Sequence, residues 1–307
     1  MALAQVAHAQ PGGPVPSAQT APAGRRGRSI TPYLLLLPGM AWLLVFFAAP
    51  ILSLFSTSLQ TRVPGTTDQF VLTWRFANYL DYAQEYAPQF GRSFLYAGIS
   101  TVLALLISYP LAYLIAFRAG RWRNLMLVMV VAPFFCSFIL RTLAWKQILS
   151  DDGFVVRTLK DLHLMGPSQS LTATSFAVVA GITYNFLPFM TLPLYSSLER
   201  IDPRLHEAGY DLYGNGFTVL RKVTFPLSMP GVVAGTLLTF IPAAGDYVNS
   251  SLLGRQPATQ MLGNVIDARF FGLVDYPAAA TLSFVLMAAI LVLVTIYVRR
   301  AGTEELV

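Results

Sequence analysis

Charged residues are scarce in this chain of 307 residues, where Asp, Glu, Lys and Arg together make up only 12%. Soluble globular proteins carry about a quarter charged residues. The deficit is uneven, because long uncharged runs alternate with short clusters of arginine and aspartate. This distribution is typical of a chain whose solvent is lipid, and it argues against a soluble fold.

The chain also lacks the residues that catalysis or metal binding needs. Cys136 is its single cysteine, so no disulfide forms within the chain, and we expect a buried thiol acting as a small hydrophobe. The three histidines, His8, His163 and His206, lie far apart and give a metal site little support. No Gly-x-x-x-x-Gly-Lys-Ser/Thr phosphate loop and no Gly-x-Ser-x-Gly elbow occurs. The sequence therefore predicts no catalytic residue, no bound metal and no cofactor in this chain.

Apolar runs long enough to cross a bilayer predict an all-α integral membrane fold with about six transmembrane helices. A span needs about 20 residues to cross roughly 30 Å of hydrocarbon. The predicted spans are about Tyr33 to Leu54, Arg92 to Arg118, Arg123 to about Leu149, Phe176 to Leu198, a fifth from near Met229, and a sixth between Asp275 and Arg299. In the third of these, Arg141 and Lys146 fall in the last turns, where they either reach the outer interface or pair with Asp151 and Asp152.

Basic residues set the predicted orientation. The Ala-, Pro- and Gly-rich residues 1–30 form a flexible tail rather than a signal peptide, because the basic group follows the weakly apolar stretch. Residues 31–300 form the membrane domain, and 301–307 form a second short tail. The positive-inside rule places both tails in the cytoplasm of a bacterial inner-membrane protein. The residues that indicate this are Arg25, Arg26, Arg28, Arg118, Arg121, Arg123, Arg200, Arg204, Arg221, Lys222, Arg299 and Arg300.

A cytoplasmic loop of about residues 199–225 contains a short predicted helix. Asp202-Pro203 is a strong helix start, and Gly214-Asn215-Gly216 is an equally strong stop. About ten residues are too few for an isolated helix to be stable, so this one must dock. Its edge of two acidic residues four apart favours a protein partner over the membrane surface, which prefers basic helices. The edge consists of Glu207 and Asp211, beside an apolar face of Leu205, Ala208, Gly209 and Leu212.

The stretch from Glu207-Ala208-Gly209 to Val223-Thr224-Phe225-Pro226 resembles the EAA motif of type I ABC importer permeases. That pattern is Glu-Ala-Ala, three residues, Gly, nine residues and Ile-x-Leu-Pro, and the spacing from Glu207 to Pro226 matches it without a gap. Gly209 replaces the second Ala, and Tyr213 stands where Gly is usual.

The resemblance implies the type I permease fold with a cytoplasmic coupling helix, which docks on an ATPase subunit. Glu207, Ala208, Gly209, Asp211 and Leu212 would make that contact. The implied partners are a second, non-identical permease subunit, two ATPase subunits that hold the ATP and Mg²⁺, and an extracytoplasmic substrate-binding protein. No nucleic-acid partner is implied.

Further segments are similar to the polyamine (spermidine/putrescine) branch of these permeases and to its B-type subunit. The resemblance runs from about Tyr33 to Arg299 and implies putrescine or spermidine as cargo. Relatives for iron, thiamine or phosphonates share much of the framework, so another solute is the alternative. An ion-gradient-driven transporter is disfavoured, because Asp246 is the one carboxylate available for a relay. The segments are Leu187–Met190, Pro193–Ser197, Pro226–Gly231 and Gly263–Ile266.

Polar groups within spans are the candidates for the solute path, since burying them in lipid is costly. Asp246 follows the helix-loosening stretch Pro242-Ala243-Ala244-Gly245 and precedes Tyr247, a pairing that suits an alkylammonium ion. Tyr184, Asn185 and Trp145 are further candidates. The alternative for Asp246 is a structural position at the outer helix end, where it caps a turn or meets Arg255.

Overall fold

The computed structural model describes residues 31–66, 69–166, 168–255 and 257–301. The predicted tail 1–30 and residues 302–307 of the second tail lie outside this range. The chain divides into two units, Met1–Pro50 and Ile51–Val307. In the first unit, α1 (Thr31–Leu43) continues through a π-helical turn, Leu44–Ala48, into the start of α2 (Ala49–Ser58).

A small region of short elements follows. A two-stranded antiparallel sheet of β1 (Gln60–Arg62) and β2 (Phe70–Leu72) pairs Thr61 with Val71, and α3 (Ala77–Glu85) comes next. Asn78 fastens this region to the preceding helix, since its Nδ2 donates to the carbonyl oxygens of Ser58 and Gln60 at 3.0 and 3.1 Å.

The remaining α-helices form the body of the second unit. Short π-helical turns extend α4 to Arg118 and precede α11 and α15. The helices are α4 (Ala87–Tyr113), α5 (Arg123–Val131), α6 (Phe138–Ile148), α7 (Phe154–Asp161), α8 (Ser175–Glu199), α9 (Pro203–Tyr213), α10 (Gly216–Val219), α11 (Phe225–Leu227), α12 (Met229–Ala244), α13 (Val248–Leu253), α14 (Leu262–Asp267) and α15 (Tyr276–Ala301).

Four helices of the described residues are long and apolar enough to cross a membrane, or up to six if two bent pairs each count as one span. The single helices cover Leu35–Ser58, Ala87–Arg118, Ser175–Glu199 and Tyr276–Arg300, in agreement with the predicted first, second, fourth and sixth spans. One of the two bent pairs joins Gly216–Leu227 to Met229–Ala244 at 67°, and the other lies in the region of the third predicted span.

The third predicted span, from Arg123 to about Leu149, is a bent pair of helices. Gly120–Phe135 and Phe138–Ile148 meet at 97°. Pro133 lies in the 3-10 turn before the break and lacks a backbone N–H, and Cys136 is extended, with φ −89° and ψ 147°. Cys136 is therefore exposed instead of buried as expected.

Helices α4, α8 and α12 pack against one another to form the core. Small residues such as Ala97 and Gly235 let the backbones approach closely. Hydroxyl groups add bonds between helices: Ser100 Oγ donates to the Val179 carbonyl at 3.2 Å, and Tyr109 OH lies 3.0 Å from Ser228 Oγ. Two candidate sites adjoin this core, one in the loop after the C-terminal end of α8 and one where the C-terminal end of α12 leads to α13, beside the middle of α8.

Candidate functional site

The ends of α9 are those that the sequence predicts. The Asp202 side chain caps the helix by accepting from Arg204 N at 2.9 Å, and Pro203 is its first residue. Gly214 ends it in the left-handed conformation, with φ 62°. These signals depend on adjacent residues alone, which explains why the sequence located the helix correctly.

The inner side of α9 is anchored to the membrane domain. Gly209 is buried, and a Cβ there would lie 3.2 Å from Val219 Cγ1 and 3.4 Å from Val223 Cγ2. His206 Nε2 lies 3.1 Å from Thr224 Oγ1, and the His206 ring packs at a tilt against that of Phe117, with centroids 4.5 Å apart. Burial lowers the pKa of His206. The small residue thus permits a close approach to the chain's own loop.

The outer side of α9 carries the other four residues predicted for the ATPase contact. Glu207, Ala208 and Asp211 are exposed, and Leu212 is 77% exposed. Phe217, which our sequence analysis did not single out, is 70% exposed just beyond the helix. An aromatic residue directly after a Gly-Asn-Gly stop was the signal that could have revealed it. Exposed apolar side chains beside carboxylates indicate a protein-binding surface.

An ion pair fixes the end of α8 that leads into this loop. Arg123 pairs with Glu199, and its guanidinium carbon lies 5.0 Å from the ring centroid of Tyr195. The connection between α4 and α5 is thereby tied to the residue four positions before α9 begins. The end of α8 nearest α9 is consequently held against the start of α5.

Asp246 lies at the opposite end of α12 and is only 7% exposed. Its Oδ1 accepts from Val248 N at 2.9 Å and from Asn249 N at 3.3 Å, and its Oδ2 accepts from Asn249 Nδ2. Asp246 therefore caps α13, one of the two structural roles expected for it. None of the ion pairs among the described residues joins it to Arg255, which was the other.

Asn249 connects Asp246 to Asn185, a second predicted residue. Asn185 Nδ2 donates to Asn249 Oδ1 at 3.0 Å and to Thr142 Oγ1 at 3.1 Å, and Thr142 Oγ1 lies 3.3 Å from Asn249 Oδ1. Asn185 Oδ1 is buried without a hydrogen-bond partner among the described residues. An unsatisfied buried acceptor costs about 1–3 kcal/mol. We call Thr142, Asn185, Asp246 and Asn249 the polar junction.

Two predicted aromatic residues lie beside the polar junction. Trp145, three residues after Thr142, and Tyr184, adjacent to Asn185, are half-buried with ring centroids 5.3 Å apart. Tyr247 is 46% exposed, and its carbonyl accepts from Asn264 Nδ2 at 2.9 Å. Through Asn249 the structure thus joins two predicted path residues, Asp246 and Asn185. Trp145 and Tyr184 contact each other, and Tyr247 is about half exposed.

Of the two alternatives for Arg141 and Lys146, pairing with Asp151 and Asp152 does not occur. The acids pair with α7 instead, Asp151 with Lys160 at 3.5 Å and Asp152 with Arg157 at 3.2 Å. The reason is that α7 folds back just after them and presents its own cations.

Two aromatic rings lie next to the guanidinium of Arg141. Its carbon lies 4.7 Å from the ring of Phe134 and 5.6 Å from that of Phe138. Its Nε and Nη1 are buried, and within the described ranges neither has a hydrogen-bond partner. Lys146 is exposed.

The part of the chain that the structure describes contains no group of three or more His, Cys, Asp or Glu able to hold a metal ion.

Residues 108–301 match the family described as binding-protein-dependent transport system inner membrane component. The chain belongs to this family. It is therefore a multi-pass inner-membrane permease, and its helices have the type I permease fold. The family match covers α5 to α15, which includes both the loop around α9 and the polar junction.

Curated relatives of this permease match it over most of its length. The spermidine/putrescine transport system permease protein PotB of Haemophilus influenzae is 34% identical over 260 residues, which is 84% of this chain and 90% of the relative. PotB of Escherichia coli is 32% identical over 261 residues, 85% of this chain and 94% of the relative. A probable molybdenum ABC transporter permease of Haloferax volcanii is 27% identical over 283 residues, 87% of this chain and 93% of the relative.

Two solved structures share the fold of the permease. One is a bacterial ABC transporter that imports alginate, with a TM-score of 0.64 and 17% identity over 90% of this chain and 96% of that chain. The other is a bacterial alginate ABC transporter in complex with a periplasmic protein bound to an alginate pentasaccharide. Its TM-score is 0.65 and its identity 16% over 90% and 94% of the two chains. At these identities the likeness concerns the fold alone.

Proposed function

We propose that this permease is one of two membrane subunits of an ATP-driven importer of polyamines, with putrescine or spermidine as cargo. The observation that carries the proposal is the identity of 32–34% to spermidine/putrescine permeases along 84–85% of the chain. The relative named for molybdenum is less similar, at 27%. An importer of the same class for another solute is the competing function.

The geometry of α9 supports coupling to an ATPase. One side of the helix is fixed to the membrane domain through His206 and Gly209. The other presents Glu207, Ala208, Asp211 and Leu212. A helix held on one side and free on the other transmits a push from a docked subunit as a rigid-body movement. Gly209 contributes by bringing α9 against its own loop, and the ATPase contact belongs to the exposed residues.

The complete importer contains this permease, a second non-identical permease, two ATPase subunits and an extracytoplasmic binding protein. Both termini of this chain lie in the cytoplasm, where the basic residues of its short connections favour them. Closure of the ATPase pair on ATP moves α9 and switches the path between its inward- and outward-facing states. ATP and Mg²⁺ bind to the ATPase subunits, and the permease performs no covalent chemistry.

The polar junction supports a path for a cationic solute. Asp246 offers a negative charge, Asn185 a free amide oxygen, and Trp145 and Tyr184 the aromatic faces that attract alkylammonium groups. Tyr247 lies next to the carboxylate in sequence with its ring half exposed. These groups suit a linear chain of amines better than an oxyanion, which a carboxylate repels.

ATP hydrolysis by the complete complex in lipid tests the cargo. We expect stimulation when the binding protein is loaded with putrescine or spermidine and none with iron, thiamine, a phosphonate or molybdate. Stimulation by one of the other solutes alone would retain the importer and refute the polyamine proposal. For Asp246→Asn we expect reduced polyamine stimulation with the complex still assembled, because the amide lacks the charge that attracts the cargo. Unaltered stimulation would remove Asp246 from the path.

Co-purification of the ATPase tests the role of α9. Glu207→Arg reverses an exposed charge and is expected to weaken ATPase docking while the membrane helices stay folded. Asp81→Arg is the matched control, because Asp81 is an exposed carboxylate paired with Arg75, far from α9 in sequence. Equal recovery of the ATPase with both variants would refute the coupling-helix assignment.

A further inference from the structure

The Asp246 carboxylate is buried without a countercharge. It is only 7% exposed, and no ion pair among the described residues includes it. Its hydrogen bonds come from the backbone N–H groups of Val248 and Asn249 and from the Asn249 amide. Buried carboxylates are normally paired with a cation, because removing the charge from water is expensive. An unpaired one in a membrane protein indicates a functional position.

The Asn249 side chain donates a hydrogen bond to the Asp246 carboxylate and also contacts residues of two other helices. Its amide nitrogen faces Asp246, while its oxygen faces Asn185 and Thr142. Asn185 is 64 residues away in the sequence and Thr142 is 107 residues away. One fully buried side chain therefore links α13 to α8 and to the broken third span.

Close packing of α8 holds this link in place. A Cβ at Gly181 would lie 2.9 Å from Asn249 Oδ1 and 2.3 Å from Leu253 Cδ1. The absence of a side chain at Gly181 thus creates the space that Asn249 fills. The contact between α8 and α13 in the polar junction therefore depends on the close packing at Gly181.

The polar junction also contains an unused acceptor. Asn185 is only 1% exposed, and its Oδ1 has no hydrogen-bond partner in the described structure. Rotating the amide by 180° would not help, because Oδ1 would then face the oxygen of Asn249. This arrangement consequently leaves one hydrogen bond unmade, and a ligand with several N–H donors could make it.

We propose that Asn249 is a positioning residue that keeps the Asp246 carboxylate from binding the cargo while the path is closed. Opening breaks the bonds of the Asn249 side chain to Asn185 and Thr142 and lets this side chain turn away from Asp246. A protonated primary amine of the cargo then replaces the Asn249 amide at the carboxylate. An ammonium group has three donors and one positive charge, which suit the carboxylate, the free oxygen of Asn185 and the rings of Trp145 and Tyr184. We call this closing role of Asn249 the latch. The identity of the cargo in this inference rests on the proposed function, whereas the latch itself does not.

The test compares ATP hydrolysis by the complete complex in lipid, with and without spermidine-loaded binding protein. Asn249→Ala is expected to raise the cargo-free rate by at least about fivefold, the factor for one net hydrogen bond, because the side chain bonds both Asn185 and Thr142. The spermidine concentration for half-maximal stimulation is expected to fall, since the amide no longer competes with the amine. Thr142→Val, which removes only a hydroxyl group, should raise the cargo-free rate less.

The matched control is Asn264→Ala. Asn264 is equally buried and bonds Tyr247 O and Ser251 Oγ, but it makes no contact with the Asp246 carboxylate. Loss of general structure there should lower the cargo-free and stimulated rates together.

The inference is overturned if Asn249→Ala and Thr142→Val leave the cargo-free rate unchanged or reduce both rates in proportion, as the control does. Failure of spermidine to stimulate the wild-type complex would instead contradict the proposed cargo. The cargo-free rate would still decide whether the polar junction acts as a latch. The two failures are therefore distinguishable in one set of measurements.

Discussion

Adding one methyl group at Gly231 tests how closely α8 and α12 pack. A Cβ at this position would lie 2.5 Å from Ser197 Cβ, 2.8 Å from the Pro193 carbonyl oxygen and 3.2 Å from Leu194 Cα. Two of these atoms belong to the backbone of α8 and cannot rotate away. The helices must therefore separate to accommodate alanine.

The magnitude follows from two opposing effects. Alanine favours a helix over glycine by about 0.5–1 kcal/mol. Overpacking a filled interface typically costs about 1–3 kcal/mol, and here the contacts are with rigid atoms, so the upper part of that range applies. We expect Gly231→Ala to destabilise the permease by roughly 1–2 kcal/mol after both effects are counted.

Two other glycines provide graded controls. At Gly98, on α4, a Cβ would meet no atom within 4 Å, so Gly98→Ala should show the helix preference alone. At Gly235 a Cβ would lie 2.8 Å from Met190 Sδ, the flexible end of a side chain, and 3.1 Å from the Met190 carbonyl. Gly235→Ala should therefore cost less than Gly231→Ala.

The assay is thermal unfolding of the purified chain in detergent, followed by tryptophan fluorescence. The midpoints should fall in the order Gly98→Ala, wild type, Gly235→Ala and Gly231→Ala. A midpoint for Gly231→Ala at or above that of Gly98→Ala would show that the two helices are not packed as closely as described.

Two further outcomes follow from single side chains. Burial lowers the pKa of His206 below 6.5, so the folded loop favours the neutral ring. Because the unfolded loop then binds the proton more readily, the stability from His206 is complete above pH 6.5 and is lost as the pH falls below it. Proteolysis of the 199–225 loop should be faster at about pH 5.5 than at about pH 7.5, and His206→Gln should remove the difference; an unchanged difference would refute this cause. Arg141→Met should preserve or raise the unfolding midpoint, since it removes two buried donors without partners and still packs between Phe134 and Phe138. A lower midpoint would show that the guanidinium has a partner.

The sequence by itself determined the features that depend on neighbouring residues. Membrane spans follow from the length of apolar runs, and the ends of α9 follow from Asp202-Pro203 and Gly214, whose capping groups act within one helical turn. The family also follows from sequence, since the EAA spacing around Glu207 is local.

Only the tertiary structure decided which side of each element meets another. The break at Cys136 requires the geometry of Pro133 and the packing of α6, neither of which an apolar run reveals. Gly209 faces its own loop because Val219 and Val223 lie there. The polar junction joins residues 64 and 107 positions apart, and such long-range contacts are set by how whole helices pack, not by the preferences of adjacent residues.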